Sequence, residues 1–383
     1  MKKRFSSYSK YFIFTIIATL AIACEDDPQV PQSETKGRMV LVYQVANNNL
    51  SRYSDDDYNE MLQGAGDIGS DNHLLVYRHS RTVSPMLVEV KANGVDTLYT
   101  YDTATSSVDI SRVVKVIEDA KKYANAEQYG LVLWSHGSGW IQDGMEQTGV
   151  KRSFGDDGGK RMNSTDLATA LQQAGGFDWI YFDCCYMMSV ETLYELRNTA
   201  KFFVGSVTEL QLPGMPYHLN MKYFFAPGES DLVGAAQSTF DYYLERIAAT
   251  PKDITNNYCT MSVVKASALD ELARVTRNIY AEAEKSLPDG FVPQRYSNVR
   301  ETSCNYFDFG QYANALAANG NEEFNKALAD AVLYDAATKY LRELPIEHHS
   351  GMSTYILRAS SSHTNKNYQS LSWYHDVASV LKF

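Results

Sequence analysis

The sequence predicts an α/β fold in which helices cover both faces of a mostly parallel central sheet, with a C-terminal α/β extension. Short apolar runs alternate along the chain with segments whose apolar residues recur at helical spacing, as expected for parallel strands joined by crossover helices. The 383 residues are 44% hydrophobic and 12% aromatic, which is enough for a large core. No internal repeat or low-complexity tract interrupts this pattern.

The first 23 residues have the composition of a signal peptide. The cationic stretch MKKRFSSYSK precedes the thirteen almost wholly apolar residues YFIFTIIATLAIA, which are too few to span a bilayer. Small residues precede Cys24 in a pattern that resembles a bacterial lipobox, although Leu20 lies one position further back than the pattern prefers. We therefore expect Cys24 to be acylated and to begin the mature chain; simple secretion and a free thiol are the alternatives.

Residues 24–37 are predicted to be the lipidated N-terminus and a solvated linker, because they lack apolar periodicity. The acidic run Glu25, Asp26 and Asp27 resembles tethers that send some lipoproteins to the cell surface. The predicted location is therefore the outer membrane or cell surface of a bacterium, with a membrane contact made through the N-terminal lipid. The net charge of −11 argues against a nucleic-acid partner, since such surfaces need basic patches.

The rest of the chain is divided into a first domain over residues 38–250 and a C-terminal α/β region over residues 251–383 that packs on it. Buried strands are predicted at 38–46 and 72–80, followed by a hairpin made from 85–91 and 96–102. The next predicted elements are a helix over 107–123, a strand over 129–137, a helix over 164–174, a strand over 178–185, a helix over about 189–199 and a strand over 202–207.

Two reactive side chains come where neighbouring predicted strands end. His136 follows LVLWS, and Cys184 and Cys185 follow DWIYFD, so these residues are expected to meet at the carboxyl edge of the sheet. A histidine or a helix N-terminus supports a cysteine thiolate, and the 49-residue separation of His136 from Cys185 is close to that in caspases. The N–H groups of Gly137 and Cys185 would then stabilise an oxyanion in acyl transfer. The alternative is a structural role for both residues.

Two segments around these residues carry a family resemblance. WSHGSGW (134–140) and FDCCYMMSVE (182–191) resemble the signature segments of clostripain-like cysteine peptidases, relatives of caspases, gingipains and legumains. In that family the first segment supplies the catalytic histidine, and the second has the form Asp-x-Cys with a glutamate six residues after the cysteine. The resemblance thus implies a caspase-like fold and makes Cys185 the nucleophile, with Asp183 and Glu191 in the other two places. Further similar segments lie at 47–50, 205–217, 305–316 and 351–357.

The resemblance also implies a substrate class and a mode of activation. Family members mostly cleave proteins or peptides after arginine or lysine, which makes Asp183 and Glu209 candidate acids of the specificity pocket. The alternative for Asp183 is that it only satisfies backbone groups in its turn. Many relatives are zymogens that cut themselves, and here Lys151 and Arg152 lie in a Gly- and Asp-rich segment between the two signatures. The expected product is a monomer of two associated chains.

No cofactor is required by the sequence, and no transition-metal spacing is present, but a calcium site remains open. The run from Ser54 to Asp57 is acidic, and we expect Ser54 to cap a helix there rather than bind metal. Asp156 and Asp157 are the other calcium candidates. A competing functional hypothesis is a catalytically inactive cell-surface binding protein on the same scaffold; the intact His136 and Cys185 argue against it. A redox protein is disfavoured because the Cys-x-x-Cys spacing is missing.

Overall fold

The computed structural model describes residues 37–141, 153–253, 258–283, 287–297, 299, 303–317, 321–358 and 363–381. The predicted signal peptide, Cys24, nearly all of the linker and the Lys151–Arg152 pair lie outside these residues. None of the helices in the described part of the chain has the length and hydropathy needed to cross a membrane.

The described secondary structure alternates strands and helices through the first two hundred residues, as the apolar periodicity predicts. The strands are β1 (Arg38–Ala46), β2 (His73–Ser80), β3 (Met86–Lys91), β4 (Gly94–Thr100), β5 (Gln128–Trp134), β6 (Phe154–Asp157), β7 (Lys160–Met162), β8 (Phe177–Asp183), β9 (Ala200–Gly205), β10 (Thr260–Lys265), β11 (Phe307–Asp308), β12 (Val332–Ala337), β13 (Tyr340–Leu341), β14 (Leu344–Pro345) and β15 (Ser353–Thr354). The helices are α1 (Ser51–Gln63), α2 (Ile110–Tyr123), α3 (Ser164–Gln173), α4 (Val190–Leu196), α5 (Tyr217–Phe224), α6 (Leu232–Ala249), α7 (Leu269–Glu282), α8 (Phe309–Leu316), α9 (Glu322–Ala331), α10 (His363–Tyr368) and α11 (Ser372–Asp376).

Nine of these strands form one sheet in the order β12-β10-β9-β8-β5-β1-β2-β3-β4. The five central strands, from β9 to β2, are parallel. Antiparallel pairs extend the sheet at both edges, through β3 and β4 on one side and β10 and β12 on the other. The α/β class with a mostly parallel centre is therefore confirmed.

Both faces of the sheet are buried, which explains why its central strands are almost continuously apolar. In β1, Met39, Leu41 and Tyr43 pack into one core, whereas Val40 and Val42 point into the other. Helices α2, α3, α4 and α7 contribute to the first core, and α1, α5 and α6 contribute to the second.

The chain order within the sheet reverses at β1. From β1 the chain goes to β2 on one side, and β5 later enters on the other side of β1. The loops that follow β1 and β5 therefore diverge at the carboxyl edge and leave a crevice there, which is the usual ligand position in open α/β sheets. The crevice is bordered by the segments that follow β1, β5 and β8.

The C-terminal region contributes strands to the same sheet. Residues on both sides of the predicted boundary at 250 share it, since β10 pairs with β9 and β12 pairs with β10. Cys259 and Cys304 are buried, and all four described cysteines are free thiols.

Two predicted helix starts differ from the structure. The helix expected from Ser107 begins at Ile110, because the Ser107 N–H donates to Asp157 Oδ2 at 2.7 Å instead of entering the helix. The prediction that Ser54 caps a helix is wrong. Helix α1 begins at Ser51, so Ser54 lies within its first turn, where Oγ donates to the Ser51 carbonyl oxygen at 2.7 Å.

A buried carboxyl group connects α4 to the C-terminal region. Glu191 is fully buried, and its Oε1 accepts hydrogen bonds at 2.8 Å from Thr354 Oγ1 and from the Tyr355 N–H. Burial raises the pKa of Glu191 to about 7. The glutamate that belongs to the cysteine signature is thus a structural link, which holds the helix after Cys185 against β15.

Candidate active site

Three loops meet in a cleft at the carboxyl edge of the sheet, where the sequence predicts the site. They follow β1, β5 and β8 and bring Asn49, His136 and Cys185 to one cleft of about 400 Å³. Residues 209–214 form the opposite wall, together with Arg342 from the turn between β13 and β14.

Asn49 holds the imidazole of His136. The two side chains meet through His136 Nε2 and Asn49 Oδ1 at 2.8 Å. An amide oxygen only accepts hydrogen bonds, so Nε2 carries the proton in this contact and Nδ1 is the basic nitrogen of the neutral ring. The sequence does not predict this role for Asn49, although the residue lies in the segment 47–50 that resembles the family.

The backbone of the histidine loop is fixed by β6 and by Ser153, the residue that directly precedes this strand. The Gly155 N–H donates to the His136 carbonyl oxygen at 2.9 Å, and the Ser138 N–H donates to the Ser153 carbonyl oxygen at 3.0 Å. Ser135 Oγ donates to the Val45 carbonyl oxygen at 2.7 Å, which ties the same loop to the end of β1. The position of His136 therefore depends on the segment at 153–155 and on the end of β1.

The two adjacent cysteines occupy different environments. Cys184 is 2% exposed and belongs to the core, whereas Cys185 is half-buried and its Sγ lies 3.9 Å from the Leu210 carbonyl oxygen. Burial raises the pKa of Cys185 to about 12, so it is a neutral thiol in this state. The prediction that a helix N-terminus supports the Cys185 thiolate is wrong. Helix α4 begins only at Val190, and the side chain of Ser189 accepts a hydrogen bond from the Thr192 N–H in its first turn.

An aromatic stack connects the cysteine loop with the histidine loop. Tyr186, directly after Cys185, has a φ of 60°, which a non-glycine residue rarely adopts, and its N–H donates to the Thr208 carbonyl oxygen at 2.9 Å. Its ring stacks on Tyr306 with centroids 4.1 Å apart. The Tyr306 hydroxyl donates to the Ser138 carbonyl oxygen at 2.8 Å, so one residue of the C-terminal region contacts both loops.

The predicted oxyanion donors lie close together. A methyl group at Gly137 would lie 2.6 Å from the Cys185 carbonyl oxygen and 3.1 Å from its nitrogen, so only glycine fits this approach. In the described part of the chain, the Gly137 and Cys185 N–H groups donate no hydrogen bond to another group. Both therefore remain available to an anion in the cleft.

Asp183 ends β8 and forms the buried floor of the cleft. Its Oδ1 accepts from the Met215 N–H at 3.2 Å, and its Oδ2 accepts from the Tyr217 hydroxyl at 2.9 Å. Burial raises its pKa to about 7. Gly214, with a φ of 103°, lies so close that a methyl group there would be 3.1 Å from Asp183 Oδ1. The carboxyl group thus has one backbone and one side-chain donor and also borders the cleft.

A second buried carboxyl group, Asp57, lies near Asp183, and sequence reasoning weighed this residue only for calcium. Trp134 Nε1 donates to Asp57 Oδ2 at 2.6 Å, and Trp134 pairs with Asp183 across β5 and β8. Burial, with repulsion from Asp183, raises the pKa of Asp57 to about 9. Burial thus favours the neutral form of both carboxyl groups, and a cation bound in the cleft would favour the ionised form of Asp183.

Glu209, the other predicted pocket acid, lies in the cleft wall and has partners. Its Oε2 accepts from the Tyr258 hydroxyl at 2.8 Å and lies 3.2 Å from a terminal guanidinium nitrogen of Arg342. The two acids implied by the resemblance thus border one cleft, one at its floor and one at its wall.

The calcium candidates contact protein groups. Asp55 pairs with Arg78 and Asp156 with Arg161, each at 2.6 Å, and Asp157 accepts hydrogen bonds from Ser106, Ser107 and Asn47. The described residues hold no group of three or more His, Cys, Asp or Glu side chains arranged for a metal ion. Calcium needs six to eight oxygen ligands, and these carboxylates already contact protein groups; a calcium site stays a possibility that the sequence left open.

Comparison with known proteins gives a consistent result. A family model described as the clostripain family matches residues 42–380. A secreted C11 cysteine protease from Bacteroides thetaiotaomicron, solved with an irreversible peptide inhibitor, is 33% identical with a TM-score of 0.77, over 89% of this chain and 98% of that one. An inactive zymogen C11 protease from Parabacteroides distasonis is 29% identical with a TM-score of 0.74, over 90% and 99%. No curated protein sequence matches.

Proposed function

This chain belongs to the clostripain family and is a cysteine endopeptidase, and on that premise we propose that it hydrolyses peptide bonds after arginine or lysine through a dyad of His136 and Cys185. The observation that carries the proposal is that Cys185, the Asn49-bound His136 and the buried Asp183 line one cleft. Hydrolysis of reporter peptides by the Cys184→Ala, Cys185→Ala and His136→Ala variants tests the dyad.

The proposed reaction begins with Cys185 as a neutral thiol. His136 Nδ1 removes the thiol proton as Sγ attacks the scissile carbonyl carbon, and the N–H groups of Gly137 and Cys185 bind the oxyanion. The imidazolium then gives its proton to the leaving amine, which leaves a thioester on Cys185. His136 next removes a proton from water, which attacks the thioester and releases the acid and the free thiol.

We expect Asp183→Asn to reduce the preference for arginine and lysine over neutral residues by about 10- to 100-fold, because a charged hydrogen bond is lost from the pocket floor. A bound cation favours ionised Asp183, so the ratio of kcat/KM for basic to neutral reporter peptides should rise with pH through about 7 in the wild type, the value to which burial raises the pKa of Asp183. The ratio should be flat in the variant.

Asp178→Asn is the matched control for this measurement. It removes the same charge from the other end of β8, where Asp178 pairs with Lys201 at 2.6 Å. Equal cleavage after aspartate and arginine by the wild type would contradict the proposed pocket.

We further propose that the enzyme is made as a zymogen and cuts itself at Lys151 or Arg152, the basic pair that precedes Ser153 and β6 in the chain. The two chains are expected to stay associated, because β6, which follows the cut, is hydrogen-bonded to the histidine loop, which precedes it. A denaturing gel should separate two fragments of the wild type. Cys185→Ala and the Lys151→Ala, Arg152→Ala double variant should remain single chains, and the double variant should lose most activity toward large substrates.

Lys160→Ala is the control, because it removes an exposed lysine from a nearby Lys-Arg pair in β7. A fully active wild type that is never cut, or a Cys185→Ala protein that is still cut in a host without other proteases, would rule out self-activation.

We also propose that Cys24 carries a lipid that holds the mature protein on a bacterial outer membrane or cell surface. A radioactive fatty acid should label the wild type and Cys185→Ala but not Cys24→Ala, because only the last variant lacks the acceptor thiol. Protease added to intact cells should degrade the labelled protein. Unlabelled, soluble wild type in the periplasm would refute the anchor.

A further inference from the structure

The guanidinium of Arg342 occupies the cleft beside Glu209. A terminal nitrogen of Arg342 lies 3.2 Å from Glu209 Oε2, and both residues line the cleft that contains Asp183 and Cys185. The side chains are 39% and 42% exposed, so the pair lies at the cleft surface, where an entering side chain can reach it.

The backbone of Arg342 is unusual for an arginine. Leu341 pairs with Leu344, which leaves a two-residue turn between β13 and β14. Arg342 is the first residue of that turn and has a φ of 56°, a conformation that glycine or asparagine adopts at lower cost. Backbone strain of this kind is often found where a side chain serves a function.

The acidic partner is held in place from the other side. Tyr258 donates its hydroxyl proton to the same Glu209 oxygen at 2.8 Å, and the Gln211 side chain donates to the Tyr258 hydroxyl. Glu209 also directly precedes Leu210, whose carbonyl oxygen faces the Cys185 thiol at 3.9 Å. A carboxylate in the same cleft as the Cys185 thiol is thus already paired with a cation supplied by the protein.

We propose that Arg342 is a specificity-determining residue that competes with the basic side chain of the substrate for Glu209. The inference rests on the proposed preference for arginine and lysine. An arriving guanidinium or ammonium group must share or displace Arg342, whereas a neutral side chain meets a wall whose charge is balanced. Arg342 therefore lowers the selectivity for basic residues below the value that Asp183 and Glu209 would give together.

Arg342→Asn tests this competition, since asparagine tolerates a positive φ and leaves the turn intact. We expect the ratio of kcat/KM for arginine and lysine reporter peptides to kcat/KM for a neutral reporter to rise about two- to fivefold, the effect of removing one partly exposed ion pair. Arg342→Lys keeps the positive charge beside Glu209, so its ratio of kcat/KM for basic to neutral reporters should rise less than that of Arg342→Asn. Added salt should reduce the difference between Arg342→Asn and the wild type, because exposed charges are screened.

Glu209→Gln combined with Arg342→Asn locates the effect. The gain should disappear in the double variant, because the contested carboxylate is gone. A gain that persists there, an unchanged Arg342→Asn enzyme, or an equal loss on basic and neutral peptides would each overturn the inference. Arg342→Gly should behave like Arg342→Asn, because glycine also adopts a positive φ in this turn. If both variants unfold at or above the melting temperature of the wild type, misfolding does not explain a change in their activity.

A binding measurement gives a readout that does not depend on turnover. In the Cys185→Ala background, the small guanidinium compound agmatine should bind more tightly after Arg342→Asn by the same two- to fivefold, as measured by calorimetry. If the wild type and Arg342→Asn both cleave neutral peptides and neither prefers basic ones, the proposed specificity fails. If the wild type prefers basic residues and the variant gains nothing, only the role of Arg342 fails.

Discussion

Cys185→Ala should abolish peptide hydrolysis, whereas Cys184→Ala should leave most of it. Only Cys185 is half-buried at the cleft; Cys184 is 2% exposed and packs in the core. Loss of a nucleophile costs about 10⁴-fold or more in kcat, while a small core truncation acts on stability and should change kcat/KM less than about threefold. Hydrolysis of reporter peptides measures kcat and kcat/KM, and titration with an irreversible thiol reagent measures the fraction of enzyme with a reactive cysteine.

The two cysteine variants are matched controls for each other, since each removes one thiol from the same loop. Thermal unfolding should show that both remain folded. An inactive but folded Cys184→Ala protein, with Cys185→Ala still active, would reverse the assignment of the nucleophile.

His136→Ala should lower kcat by about 10³- to 10⁴-fold, because the burial-raised pKa of Cys185, about 12, leaves the thiol neutral unless a base removes its proton. Alkylation of Cys185 by iodoacetamide should become slow near neutral pH in this variant. Asn49→Ala should lower kcat by about tenfold, because the imidazole of His136 stays but loses the partner that orients it.

His73→Ala is the control for the loss of a histidine. His73 lies at the opposite end of the sheet, at the start of β2, where Nδ1 contacts Glu89 Oε1 at 2.5 Å. Full activity of His136→Ala, or fast alkylation of its Cys185 at neutral pH, would exclude the dyad.

The central sheet was predictable because its strands are buried on both faces. A run such as Arg38–Ala46, buried at every position, has few alternatives to a central parallel strand. Strand ends follow from the same runs, so His136 and Cys185 were placed at one edge by sequence alone. The helix starts at Ser51 and Ile110 were missed because hydrogen bonds decided them: Ser54 donates to the Ser51 carbonyl oxygen, and the Ser107 N–H donates to Asp157, 50 positions later in the chain.

The rest of the site depends on contacts between residues far apart in the chain. His136 and Asn49 are separated by 87 positions, and Arg342 and Glu209 by 133. Hydrophobic periodicity carries no information on such pairs, because each partner is a polar residue in a turn or loop. The contact of Asp57 was missed because its link to Asp183 passes through Trp134, a residue 77 positions later in the chain on β5.

The hydrogen bonds of Glu191 have a consequence for the timing of biosynthesis. Its donors, Thr354 and Tyr355, come 163 and 164 positions later in the chain. A buried carboxyl group without donors is costly, so α4 does not pack stably beside Cys185 until these residues exist. At the usual speed of translation, roughly 10 to 30 s separate the synthesis of Cys185 from that of Tyr355. The ribosome thus makes the nucleophile well before the residues that hold α4 beside it, so proteolytic activity cannot begin before residue 355 has been translated.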